Sequence, residues 1–251
     1  MNETTFYWAL LAAWLACAVA VFVALLLRTA PYGRFARAGW GWRVSPRLAW
    51  LLMEGPAAIV FTLFFFLGDN KNAVAIVFLI IWNVHYVYRG YIYPWLKRSS
   101  RGVPVSIVAA AVGFQLVNSY LQERYLFTIA DEYPSAWLLD PRFIGGAILF
   151  AIGWAITVQS DSLLRSLRAG ENQDYQIPRG GLFRWVSCPN YFGEIVEWSA
   201  WALLTWSLPG LVFAIWTAAN LIPRALAYHR WYREEFADYP ANRKAVIPGL
   251  L

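Results

Sequence analysis

Charge is scarce in this chain. Asp, Glu, Lys and Arg make up 14% of 251 residues and hydrophobic residues 59%, whereas a soluble domain is about a quarter charged. Cysteine is almost missing. Cys17 and Cys188 are far apart, so neither a disulfide framework nor a zinc-binding spacing is available. The two histidines, His85 and His229, lack neighbouring ligand types, and no metal centre is expected. The glycine fingerprint of a soluble dinucleotide domain is also absent. "RGGLF" at 179–183 has paired glycines but no G-x-G-x-x-G after a strand. There is no internal repeat and no low-complexity linker.

What is present is apolar sequence in blocks of about twenty residues, the length that crosses a bilayer. Seven such blocks are expected, at about 6–27, 47–67, 73–95, 104–122, 142–160, 190–207 and 209–228. The implied fold is an all-α, seven-transmembrane-helix bundle, a single domain over residues 1–251. The first block lacks a basic leader and a small-residue cleavage site, and reads as a retained span. "GDNKN" and "SLPG" read as tight turns between spans.

Basic residues follow alternate spans. Arg28, Arg34, Arg37, Arg43 and Arg47 come after the first, and Lys97, Arg98 and Arg101 after the third. Arg165, Arg168, Arg179 and Arg184 come after the fifth, and Arg230, Arg233, Arg243 and Lys244 lie in the tail. The opposite loops are assigned only Lys71, Arg124 and Arg142, with Asp69, Glu123, Asp131, Glu132 and Asp140. This asymmetry predicts an outside N-terminus and a cytoplasmic C-terminus. The net charge of +6 then reflects loops beside an anionic leaflet, and no nucleic acid partner is implied.

Ionisable residues inside spans are costly and usually functional. Here they gather toward the cytoplasmic side: Glu54 in span two, Tyr86 and Arg89 in span three, Asp161 and Arg168 after span five. Asn190, Glu194 and Glu197 open span six, and Arg224, Tyr228 and Tyr232 close span seven. No charge is expected in the outer half of any span. Asn190, Glu194 and Glu197 step by i, i+4, i+7. Asn220, Arg224, Tyr228 and Tyr232 step by four, Asn83, Tyr86 and Tyr93 share a stripe with Arg89 at i+3 from Tyr86, and Thr157, Asp161 and Arg168 are i, i+4, i+11. Each set forms one polar helix face. A cavity open to the cytoplasm is the simplest arrangement. Arginines at its mouth suit a phosphorylated ligand. A deeper tyrosine and carboxylic acid could polarise a carbonyl. Structural ion pairs and interfacial tyrosines are the plainer alternative.

Several long segments resemble the steroid 5α-reductase family. They are "VHYVYRGYIYP" at 84–94, "SDSLLRSLRAGENQDYQIPRGGLF" at 160–183, "GGLFRWVSCPNYFGEIVEWSAWALLTWSLPG" at 180–210 and "PRALAYHRWYREEFADYPANRKAVIPGLL" at 223–251. The resemblance spans about residues 45–251 and is strongest over 140–251. It implies a seven-helix membrane reductase that uses NADPH to reduce the Δ4 double bond of 3-oxosteroids, with hydride to C5 and a proton to C4. It also implies that Glu54 and Tyr86 contact the 3-keto group. Cofactor positions fall on Arg89, Asp161, Arg168, Asn190, Glu194, Arg224 and Tyr232. Thr157 and Tyr228 stand at two further cofactor positions where the family has other residues. Trp50 matches an aromatic of the cavity wall, and Met53 stands where better-known members carry a glutamine. The partners implied are a steroid or steroid-like lipid and membrane lipid, with no obligate protein partner. The short loops favour a bacterial inner membrane over the endoplasmic reticulum. Two other functions share features with this chain. An isoprenylcysteine-type methyltransferase using S-adenosylmethionine has a similar proline–aromatic–glycine segment near "CPNYFGE" and a similar tail near "REEFADYP". A non-enzymatic lipid-binding protein would use the cavity only as a container. Related enoyl or polyprenol lipid reductases fall within the reductase reading.

Overall fold

The computed structural model of the chain describes residues 2–97, 102–167 and 175–251. Among these there are seven helices: α1 (Glu3–Leu27), α2 (Pro46–Leu67), α3 (Ala73–Leu96), α4 (Val105–Ile129), α5 (Pro141–Ser166), α6 (Pro189–Thr205) and α7 (Leu208–Glu235). Six of them are long and apolar enough to cross a membrane. α6, at 17 residues, is shorter than the others and carries the most polar start. The lipid requires every backbone group to be satisfied within the helix. It also accepts the apolar side chains left outside, such as Ile59, Phe66 and Ile148, which are largely exposed.

Local chemistry sets the helix starts. The Ser45 hydroxyl accepts from Leu48 N, and Asn72 Oδ1 from Ala75 N at 3.0 Å. Ser207 Oγ accepts from Gly210 N at 3.1 Å. These N-caps satisfy donors that the first helical turn leaves open. Pro46 and Pro189 occupy first-turn positions, where a missing N–H costs nothing. The "GDNKN" turn lies where expected, whereas "SLPG" is Ser207 capping α7 followed by the first residues of that helix. Trp206 ends α6 in the left-handed region at φ 45°. A two-residue antiparallel pairing, Arg43 opposite Pro104 and Val44 opposite Val103, closes the loops before α2 and α4.

The chain divides into two compact units. The first holds the start of the chain through Leu11 and Ala30–Phe143; the second holds Ala12–Thr29 and Ile144–Leu251. In the first unit α2 packs against α3 and α4. α2 and α3 approach at glycine: a Cβ on Gly90 would lie 2.8 Å from Gly55 Cα and N. Tyr91 seals this crossing by donating to Gly55 O at 2.9 Å. α3 widens to a π-turn over Tyr88–Ile92, a feature common beside functional groups. In the second unit α5 and α6 cross at Gly153 and Gly193, where a Cβ on Gly153 would lie 2.6 Å from Glu197 N. Small residues allow this close backbone approach in a membrane bundle.

The fourth span is longer than its sequence suggests. α4 continues past residue 122 through a π-turn over Tyr125–Ile129, closed by Ala130 N donating to Tyr125 O at 2.8 Å. Glu123 and Arg124 are therefore helical residues and not loop residues. Glu123 is fully buried, which corrects the expected end of this span at 122 and its assignment to a loop. Arg124 faces the other way and holds Glu3 by two bonds, Nε to Oε1 at 2.6 Å and Nη2 to Oε2 at 2.9 Å. The polar end of α4 had looked like a loop because hydropathy averages over the helix and cannot distinguish a buried face from a lipid face.

Candidate active site

In the first unit, three helices bring Glu54, Tyr86 and Gln115 together. Glu54 lies on α2, two residues before Pro56, which removes the N–H that the Leu52 carbonyl would otherwise receive. Tyr86 lies on α3, buried against Trp82 with ring centres 4.8 Å apart. Trp82 is itself tied to α2, its indole N–H donating to Ala57 O at 3.2 Å. Gln115 lies on α4 and joins the two. Its Nε2 donates to Glu54 Oε2 at 3.1 Å, and Tyr86 OH donates to its Oε1 at 3.5 Å. Glu54 and Tyr86, singled out by depth in the sequence, are thus brought to one side chain.

Gln115 was not among the sequence candidates. A signal for it exists: Gln115, Asn118, Ser119 and Gln122 recur at helical spacing within an apolar segment, and all are buried. A stripe of amides and hydroxyls at i, i+3, i+4, i+7 marks one face of a helix as facing protein.

Arg89 is buried close by in sequence, on the π-turn of α3. Its guanidinium lies 4.9 Å from the Trp50 ring centre and 4.8 Å from that of Tyr93. Those rings meet edge-on at 5.0 Å, and Lys97 Nζ lies 4.2 Å from Trp50. Trp50 is therefore an aromatic seat for cations, each desolvated contact contributing about 2 kcal/mol. Met53 faces elsewhere, into an apolar cluster with Ala49, Val103 and Val108. Asn83, on the same predicted stripe as Tyr86, braces α3 to α2 through Thr62 Oγ1 at 3.2 Å.

The second unit gathers most of the cofactor candidates. Asn190 Nδ2 donates to Asp161 Oδ1 at 3.2 Å, linking the start of α6 to α5. Thr157 Oγ1 donates to Gly153 O at 3.1 Å and lies 3.3 Å from Asn190 O. Its hydroxyl is thus used to set the α5–α6 crossing. Arg224, one residue after Pro223 in α7, is buried and donates from Nε to Tyr191 OH at 3.1 Å. Tyr228 stands under it, its ring centre 5.4 Å from the guanidinium carbon. Tyr232 is buried and stacks on Tyr239 at 5.3 Å. Glu194 is half-buried on α6 and Glu197 is fully buried where α6 meets Gly153. Arg168 lies outside the described residues.

The C-terminal tail fixes the entry to α6. Lys244 N donates to Trp185 O at 2.9 Å, Ser187 N to Lys244 O at 2.9 Å, and Cys188 N to Ala245 O at 3.1 Å. Ser187 Oγ also meets His229 Nδ1 at 2.7 Å and Tyr239 OH at 2.6 Å. His229 is thereby a structural residue of this junction. Cys188 is buried beneath the tail, and burial pushes its thiol well above its ordinary value. These contacts were not legible in the sequence, since they join residues more than forty positions apart.

In the first unit Arg89, and in the second unit Arg224, is a buried guanidinium held by aromatic rings or a phenol, the kind of cation that can bind phosphate. Asp161, Asn190 and Glu194 offer the mixed donors and acceptors that a carboxamide needs. Among the described residues no group of His, Cys, Asp and Glu is placed to hold a metal ion.

A family model described as 3-oxo-5-alpha-steroid 4-dehydrogenase matches residues 101–251. The chain is 43% identical to "Steroid 5-alpha-reductase DET2" of Gossypium hirsutum, covering 99% of this chain and 98% of that protein. It is 40% identical to "3-oxo-5-alpha-steroid 4-dehydrogenase 1" of Bos taurus, over 95% of each. The human protein of the same name is also 40% identical, over 95% of this chain and 93% of its own length. These relatives are plant and mammalian, so the expectation of a bacterial protein finds no support in them.

Proposed function

From the premise that this chain belongs to the 3-oxo-5-alpha-steroid 4-dehydrogenase family, we propose that it reduces the Δ4 double bond of a 3-oxosteroid with NADPH. The observation that carries the site reading is the convergence of Glu54, Tyr86 and Gln115. The reaction adds a hydride at C5 and a proton at C4, and removes the C4–C5 π bond. Negative charge passes through the C3 oxygen before C4 takes its proton. A phenol O–H and a carboxyl O–H aimed at that oxygen stabilise the charge where it develops. Tyr86 is buried among Trp82 and His85, so such bonds act in a medium of low dielectric.

In the second unit, Asp161, Asn190 and Glu194 would hold the nicotinamide carboxamide, and Arg224 the phosphates. Arg89, in the first unit, is suited to phosphate. When bound, the reduced nicotinamide supplies the hydride. Thr157 contributes by setting the α5–α6 crossing, and Tyr228 by supporting Arg224. The methyltransferase alternative has nothing to use the Glu54–Tyr86 pair for, and the family membership favours the reductase.

Glu54→Gln and Tyr86→Phe test the assignment. Each should lower turnover of a 3-oxo-Δ4-steroid by about 100-fold or more, the usual value of a positioned acid. NADPH affinity, read by quenching of protein fluorescence, should stay within about twofold, since neither residue meets the cofactor in this assignment. Wild-type turnover in both variants would remove these residues from the chemistry.

A further inference from the structure

We propose that Gln115 is a positioning residue for the reduction, setting which oxygen of Glu54 faces the substrate and holding the Tyr86 hydroxyl where it can donate to the ketone. The inference rests on the reading of Glu54 and Tyr86 as the groups that hold the ketone. Its basis is the bridge itself. One carboxamide from α4 meets a carboxyl from α2 at 3.1 Å and a phenol from α3 at 3.5 Å.

In the structure the amide nitrogen donates to Glu54 Oε2 and the amide oxygen faces the Tyr86 hydroxyl, the arrangement that suits an unprotonated oxygen at Oε2. An oxygen that accepts an N–H is not the one that carries the acid proton. Gln115 therefore confines the Glu54 proton, when present, to Oε1, the oxygen left for a ligand. Tyr86 is treated differently. At 3.5 Å its contact with Gln115 is longer than an ordinary O–H···O bond. The phenol proton is aimed but weakly held, and an arriving ketone can take it at little cost.

The side chain is well placed to do this reproducibly. Gln115 is buried, which limits its rotamers. The helices that carry its partners are locked at Gly55 and Gly90, where backbones touch. Ser119 and Gln122 continue the same face of α4.

The test compares Gln115→Met and Gln115→Glu with Glu54→Gln, Tyr86→Phe and the double variant Gln115→Met/Tyr86→Phe. Gln115→Met keeps the length and loses both bonds. It should lower kcat by about 10- to 100-fold, the range for losing a hydrogen bond to an ionisable group. KM, NADPH affinity and melting temperature should stay near wild type. Added to Tyr86→Phe it should cost less than it does alone, because the two act as a unit. Gln115→Glu should be slow at neutral pH and recover as pH falls, since a neutral carboxyl can both donate to Glu54 and accept from Tyr86. Wild-type kcat in Gln115→Met would overturn the proposal. So would a loss of activity that is matched by lost melting temperature and cofactor binding, or a Gln115→Glu rate that does not rise in acid. If Glu54→Gln and Tyr86→Phe keep full activity, the assignment of the site fails instead, and this separates the two results.

Discussion

Asp140 and Arg142 form a closed ring at the start of α5. Asp140 Oδ1 accepts from Arg142 N at 2.8 Å and Nε at 2.9 Å, and Oδ2 from Nη2 at 2.8 Å. The guanidinium also lies over Trp137, 4.5 Å from the ring centre. These bonds, chiefly the side-chain pair, hold the Asp140 carboxyl down to about 2 from an ordinary 3.8. A lowered value means that the carboxylate form stabilises the folded state above about pH 4. That stabilisation is lost as pH falls through 2. Asp140→Asn should therefore abolish this part of the acid dependence, read as melting temperature in detergent between pH 4 and 2, and leave the neutral range little changed. The residue type did not signal Glu54 against Glu123. Both are glutamates inside apolar segments, yet one meets an amide and the other lies fully buried, with neither carboxyl oxygen hydrogen-bonded among the described residues.

Helix crossings explain why a few glycines matter more than the apolar residues around them. Gly193 leaves only 2.5 Å between a would-be Cβ and Thr157 Oγ1, and 2.7 Å to Gly153 O. Gly146 is equally close to Leu204 further along α5. Adding one methyl at Gly153 or Gly193 would push the helices apart, at a cost of about 1–3 kcal/mol. The Asp161–Asn190 bond at 3.2 Å sits on that crossing. Gly153→Ala and Gly193→Ala should thus lower melting temperature and weaken NADPH binding together. Retention of both would show that the crossing can relax. The helices themselves were readable from apolar length and from Ser45, Asn72 and Ser207. Their ends were less so. α4 runs on to Ile129 because Asn70 and the Gly68 turn pack against it: Asn70 Nδ2 donates to Leu126 O and Ala130 O, and Gly68 abuts Phe127.

Taken whole, the chain is a multi-pass membrane protein with six long apolar helices and a shorter α6 that starts at a polar junction. α1 is mostly exposed along its length and α7 is the more buried of the two, so α1 is suited to lipid and α7 to protein contact. The distribution of arginine and lysine predicts the direction of insertion. A fluorescent protein that matures only in the cytoplasm, fused after Leu251, should be bright. A periplasmic or lumenal reporter at the same place should be silent, and the opposite pattern would reverse the topology. The tail is also part of the fold, since Lys244 and Ala245 pair with the strand entering α6.

Hydropathy, charge placement and motif order were enough to establish a seven-helix reductase-like membrane chain and to place most of its polar residues on helices. These signals are local: each is carried by a stretch no longer than one helix. The meeting of Gln115 with Glu54 and Tyr86, the burial of Glu123 and the pairing of the tail with the start of α6 were settled by packing. Each joins positions far apart in the chain. Their geometry depends on how helices rotate about their axes when small residues such as Gly55, Gly90, Gly153 and Gly193 let backbones touch.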